Sequence, residues 1–195
     1  MLTLTTRSIL LAVAFAIAIA SILALAAGCA HADSAIPPTP VGSPRDFDFE
    51  HGRWHTTLRR RLHPLSGSDV WADYAGTTLV SPVFGGRANL VELDVSGTEG
   101  RLQGLSLRLF EPKQKRWTLN FANAASGELV APMMGGFGGG PRGVFYSRET
   151  FDGRAVLVRF VIESTGPDTC RFEQAFSADG GVTWETNWIA VDTRS

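Results

Sequence analysis

From Gly52 onward the chain alternates apolar and polar residues with a period of two, in runs too short for anything but strands. The alternation is clearest in Leu105-Ser-Leu107-Arg-Leu109 and Trp117-Thr-Leu119-Asn-Phe121. It recurs in Phe172-Glu-Gln174-Ala-Phe176 and Trp184-Glu-Thr-Asn-Trp188. Such a period places successive side chains on opposite faces of a half-buried antiparallel strand. Strands are expected over 52–62, 68–80, 88–95, 103–110, 116–122, 142–150, 154–163, 169–177 and 182–192. Between them stand explicit turn signals such as Ser96-Gly97, Asp152-Gly153 and Asp179-Gly180-Gly181. No window of a dozen residues after position 45 carries a helical stripe, and Asp46–Phe49 suits at most one short turn.

About nine short strands with short connections predict an all-β domain, an antiparallel up-and-down barrel, with a two-sheet sandwich as the rival. Closure removes the sheet edges, and a barrel of this size leaves room for one small ligand. The run Ala155–Ile162 is apolar on both faces except at Arg159. A strand of that kind needs cover on both sides, which predicts a homodimer contact.

The N-terminal segment has the character of a leader. Arg7 precedes an apolar run from Ile9 to Ala27, broken only by Ser21, the pattern of a secretory signal. Leu25-Ala-Ala-Gly-Cys29 resembles a lipoprotein cleavage box, with Cys29 as the lipid attachment site. Ala30-His31-Ala32 offers ordinary signal peptidase a site that would release the protein. The run is also long enough for an uncleaved membrane anchor. Residues 1–29 are thus expected to be the signal or lipoprotein leader. Residues 30–44, with Pro37, Pro38, Pro40 and Pro44, form a linker, and 45–195 form the barrel domain. The expected location is the cell envelope, periplasmic or held to a membrane by the lipid, or secreted if cleavage follows Ala32.

The chain has 18 Lys and Arg, one of them Arg7, against 19 Asp and Glu, so the mature domain carries a net charge of −2. A near-neutral domain offers nucleic acid no electrostatic footprint. With Cys29 lipidated or removed, Cys170 is the one remaining cysteine and no internal disulfide can form. His51 and His55 have no second cluster of ligating residues beside them, so neither a metal site nor a cofactor is expected. No nucleophile or acid–base motif appears; Glu92 and Glu173 are the carboxylates best placed for a hydrolase or isomerase.

In-phase aromatics on the strands predict an oily interior lined by Trp54, Trp117, Phe121, Phe172, Phe176 and Trp188, with Arg60 and Gln174 orienting a polar head group. Pro132-Met133-Met134-Gly-Gly-Phe137-Gly-Gly-Gly-Pro141 reads as a glycine-hinged loop. Its Met133, Met134 and Phe137 would form a lid over the mouth. The function expected is binding of a small apolar or amphipathic ligand, with no defined catalytic activity. The alternative is a structural or interaction module of the envelope whose core is filled, for instance by an internal Arg159–Glu173 pair.

Three resemblances bear on this. Gly52-Arg-Trp54 at the head of the first strand, with Phe47 and Phe49 before it, resembles the G-x-W of lipocalins and their calycin relatives, which implies that Trp54 plugs one barrel end. The region 47–192 is similar to a family of bacterial proteins for which lipocalin-like barrels are predicted, through Phe47–Trp54, Leu107-Arg-Leu-Phe110, Thr150–Gly153 and Phe172–Trp188. That likeness implies a fold and no activity. Ser177-Ala-Asp179-Gly-Gly181-Val-Thr183-Trp184 resembles the Asp-box of sialidase-like propellers. A single copy in a domain this short reads as a stiff hairpin instead.

Overall fold

A computed structural model describes residues 36–195; the leader, with the proposed lipid attachment at Cys29, lies outside the described residues. Ten antiparallel strands run in chain order: β1 Gly52–Arg61, β2 Trp71–Val83, β3 Ala88–Gly97, β4 Gly100–Glu111, β5 Arg116–Asn123, β6 Met133–Gly136, β7 Arg142–Phe151, β8 Arg154–Gly166, β9 Thr169–Ser177 and β10 Glu185–Arg194. Each pairs with its neighbours in sequence, and β1 pairs with β10, so the sheet closes into a barrel. Chain direction alternates, so turns and loops cluster at two ends. One end is open; the other is plugged by the segment that precedes β1.

The turns obey their local chemistry. At the β7–β8 hairpin Asp152 and Gly153 both take positive φ, 48° and 74°, the conformation a two-residue turn needs to match strand twist. At the β9–β10 turn Ser177 Oγ accepts the Gly181 amide at 2.7 Å, and Asp179 accepts the Thr183 amide at 2.9 Å. The Thr183 hydroxyl foremost, then the Thr183 amide and the Ser177 hydroxyl, donate to the Asp179 carboxylate and hold it down to about 2. Trp184 leaves this turn and packs outside the barrel, its ring 6.1 Å from Tyr146 and under the Arg159 guanidinium at 4.6 Å.

The tenth strand is β6, which falls where the sequence predicts a mobile lid. Its glycines serve close approach, not freedom. A Cβ on Gly135 would stand 1.9 Å from the Val144 carbonyl oxygen, and one on Gly143 would stand 2.7 Å from the Phe137 ring. Only bare backbone lets β6 slot between β5 and β7. The lid is therefore corrected: Met133 faces the interior, Met134 stands on the outer face opposite Tyr146, and Phe137 is buried at the plugged end.

The phase of β4 is also inverted relative to its apolar pattern. Leu102, Gly104, Ser106 and Arg108 face inward, while Leu105 is 41% exposed on the outside. On β8 the outward Leu157 and Val161 are already buried within one chain, Leu157 beside Gly181 of the β9–β10 turn. That face offers little apolar surface to a second subunit. The expected Arg159–Glu173 pair does not form either. Both side chains point outward, Arg159 to Trp184 and Glu173 to Arg171 at 2.8 Å.

The plug is aromatic. Phe47 meets Trp117 edge-on at 4.8 Å and Phe137 edge-on at 5.1 Å, and stacks on Phe145 at 6.1 Å. Trp54 is fully buried beside it, its Nε1 donating to the Glu50 carbonyl at 2.7 Å. Arg194, at the end of β10, lies 4.1 Å over the Trp54 ring and donates to the Phe49 and His51 carbonyls at 2.9 and 3.0 Å. Removing a buried ring of this size costs about 3–5 kcal/mol. Trp54→Ala should therefore lose that much stability in urea unfolding. A loss under 1 kcal/mol would mean the plug does not close the barrel.

Candidate functional site

Above the plug the barrel encloses a cavity of about 380 Å³. That volume lies at the lower end of the range of small-molecule sites, about 300–1,000 Å³. It exists because small residues stand across from large ones. Gly104, Ser106 and Ala190 face inward at positions where a ring would fill the space, while Phe121, Phe160, Phe172 and Phe176 form the wall.

Of the eight side chains expected to line the interior, six do: Arg60, Phe121, Phe172, Gln174, Phe176 and Trp188. Met133 joins them from β6. Trp54 and Trp117 do not. They lie below the cavity as part of the plug, because their positions near the N-terminal ends of β1 and β5 are at the closed end. Arg60 sits near the mouth, exposed, opposite Trp188 on the β1–β10 pair.

Gln174 is held by a feature the sequence does not announce. The β9–β10 register slips between Thr186 and Trp188, and this bulge turns Asn187 into the barrel beside Trp188. Gln174 Nε2 donates to Asn187 Oδ1 at 3.0 Å, and Asn187, only 3% exposed, keeps an unpartnered Nδ2.

The cavity floor is polar and charged. Glu50, from the short 3-10 turn Asp48–Glu50, forms a buried ion pair with Arg108 of β4. Arg108 in turn lies 4.5 Å over the Phe47 ring, so the guanidinium caps the plug from above. Asp192 of β10 stands beside them, 1% exposed, with Thr56 and Thr78, whose hydroxyls are 2.7 Å apart. Burial is the main force that raises the Asp192 carboxyl, to about 7; the nearby Glu50 charge adds to it, while Thr56, Arg108 and Thr78 oppose it. Cys170, opposite Asp192 on β9, is pushed up to about 12 by burial and then by Glu50 and Asp192, so it stays a neutral thiol.

None of the floor residues figures among the expected site residues. Thr56 and Asp192 were findable, since Thr56 is in phase with Trp54 and Asp192 with Trp188 and Ala190. Arg108 was not, because the three leucines around it argue for the opposite phase. Of the two carboxylates considered for catalysis, Glu92 points outward and is exposed, and Glu173 is paired outside the barrel. Among the described residues no group of three or more His, Cys, Asp or Glu could hold a metal ion.

No family model matches the chain, and no curated protein matches it. Among solved structures it is similar to the S-type phycobiliprotein lyase from Guillardia theta, with a TM-score of 0.51 at 11% identity, over 76% of this chain and 90% of that one. It is also similar to a redesigned β-barrel, with a TM-score of 0.42 at 10% identity, over 79% of this chain and 98% of that one. The protein is thus a closed, lipocalin-like antiparallel β-barrel. In its own geometry it is the kind that keeps an internal cavity, lined with aromatics and floored by buried charge.

The raised Asp192 carboxyl gives stability a definite pH dependence. Unfolded, the group titrates near 3.8; folded, near 7. Between those values the folded state holds the extra proton, so stability is fully present below about 4 and falls as pH rises through 7. A difference of about three units amounts to about 4 kcal/mol at most. Asp192→Asn should flatten the loss between pH 4 and 7 seen in urea unfolding of the unaltered protein. An unchanged slope would place the carboxyl outside the buried layer.

Proposed function

We propose that the protein is an exported barrel, lipid-anchored through Cys29 or free in the periplasm, that holds one small apolar or amphipathic molecule in its interior. Non-covalent binding, without a defined catalytic step, is the activity this reading assigns. The observation that carries it is the 380 Å³ cavity walled by Phe121, Phe160, Phe172, Phe176 and Trp188. A barrel built only as a scaffold gains from a filled core, since each void sacrifices packing energy. Small residues facing aromatics across a space this large are what a binding site needs and a scaffold avoids. The neighbouring lyase is named for a phycobiliprotein, and its barrel supports a ligand-holding use of this fold without identifying the ligand here. The leader pattern supports export.

Native mass spectrometry of the protein from its own host tests the reading. A co-purified small molecule is expected, released on denaturation. Ser106→Phe, which sets a ring inside the cavity, should abolish the adduct while leaving the fold intact by circular dichroism. Bare protein from the native host, or an adduct indifferent to Ser106→Phe, counts against an internal site.

A further inference from the structure

Resting on that reading, we infer that the polar head of the bound molecule is a protonated amine, seated on the floor between Glu50 and Asp192 with its apolar tail rising along Phe160, Phe172 and Trp188. The polarity of the cavity varies with depth: Arg60 stands exposed near the mouth, rings form the wall, and buried charge lies at the bottom, at most 5% exposed at Glu50, Arg108 and Asp192. An amphipathic guest satisfies both zones only with its head down.

The atoms on the floor choose the head. Glu50 Oε1 and Asp192 Oδ1 are buried acceptors without a donor, and both side chains line the cavity. Arg108 Nε also lacks a partner, but its side chain is already committed to Glu50 through Nη1 and to the Phe47 ring. With Glu50 and Asp192 ionised against Arg108, the floor carries a formal charge of −1. A buried acceptor or charge left unpaired is costly, which makes this layer a receptor for what it lacks. An ammonium brings three N–H donors and the missing positive charge. An alcohol supplies one donor and no charge. A carboxylate brings only acceptors and a second negative charge. Arg60 near the mouth is exposed, where solvent and salt screen it, and it does not reverse the preference of the floor.

The choice also has a pH signature. The groups facing Asp192 are Glu50 from the turn before β1, Thr56 of β1, Thr78 of β2, Arg108 of β4 and Cys170 of β9. With the Asp192 carboxyl titrating at about 7, an amine should bind more tightly as pH rises from 6 to 8. Alkylamines stay protonated throughout that window, as lysine does with its ordinary value of about 10.4.

The test is a series of equal chains with different heads: n-octylamine, n-octanol and n-octanoate, titrated against the protein with intrinsic tryptophan fluorescence and calorimetry as readouts. Octylamine should bind at least tenfold tighter than octanoate, with octanol between them, and Asp192→Asn should weaken octylamine about tenfold while hardly moving octanol. Octanoate binding as tightly as octylamine, or an octylamine affinity indifferent to Asp192→Asn, overturns the head-group assignment and leaves the pocket standing. Failure of all three to bind overturns the pocket reading as well. Should Asp192→Asn not fold, the ranking of the three heads on the unaltered protein, and its change from pH 6 to 8, decides the question alone.

Discussion

The contact on which the rest depends is Arg194 laid over Trp54. It joins three separate pieces of chain: the first strand through the ring, the last strand through the arginine backbone, and the turn before β1 through the Phe49 and His51 carbonyls. A barrel is a sheet whose two ends must find each other, and the β1–β10 pair has the largest sequence separation of any in the fold. Loop closure over that distance is entropically costly. A planar cation stacked on a fully buried indole, with two further hydrogen bonds, fixes the register at which the ends meet. It also fixes where Glu50 stands, since the Trp54 indole donates to the Glu50 carbonyl.

That placement explains why β4 turns its polar side inward. Taken alone, Leu105, Leu107 and Leu109 should face the core. Yet Glu50 is fixed inside the barrel by the plug, and a buried carboxylate without a partner is far more costly than three leucines partly exposed. Arg108 supplies the partner, and the two-residue period of the strand then turns its leucine neighbours outward. A long-range charge pair thus overrides a local hydrophobic pattern.

Locality decides how much of the fold the sequence could disclose. Strand positions and turns were legible because they are local: alternation, glycine-bearing hairpins and short connections act within a few residues, and closure followed from the short connections although its own pairing is the most distant in the chain. Phe121, Phe172, Gln174, Phe176 and Trp188 were legible as wall residues for the same reason. The glycine-rich stretch 135–140 was misleading, because the same residue that loosens a loop also lets a strand pass within contact distance of its neighbours. β6 uses the second property. The floor was hidden, because Glu50, Arg108 and Asp192 come from a turn and two strands that only the closed barrel brings together, and because a bulge, not a motif, turns Asn187 inward.

The depth of the cavity follows from the same construction. Phe47, Trp117, Phe137 and Phe145 fill the lower barrel and leave no space there, and Arg108 seals them from above. Any guest must therefore end against charge, not against rings. Higher up, Gly104 has no side chain to give: a Cβ there would stand 2.7 Å from the Phe121 ring. The ring has taken the room that a larger residue would need, and it turns its remaining surface to the cavity. Empty space of this kind is not a packing defect spread through a core. It is bounded below by the Glu50–Arg108 ion pair and at the side by aromatic rings, and it opens above at the mouth. Walls made of packed rings over a buried ion pair are preorganised, which lowers the ordering cost of binding a guest.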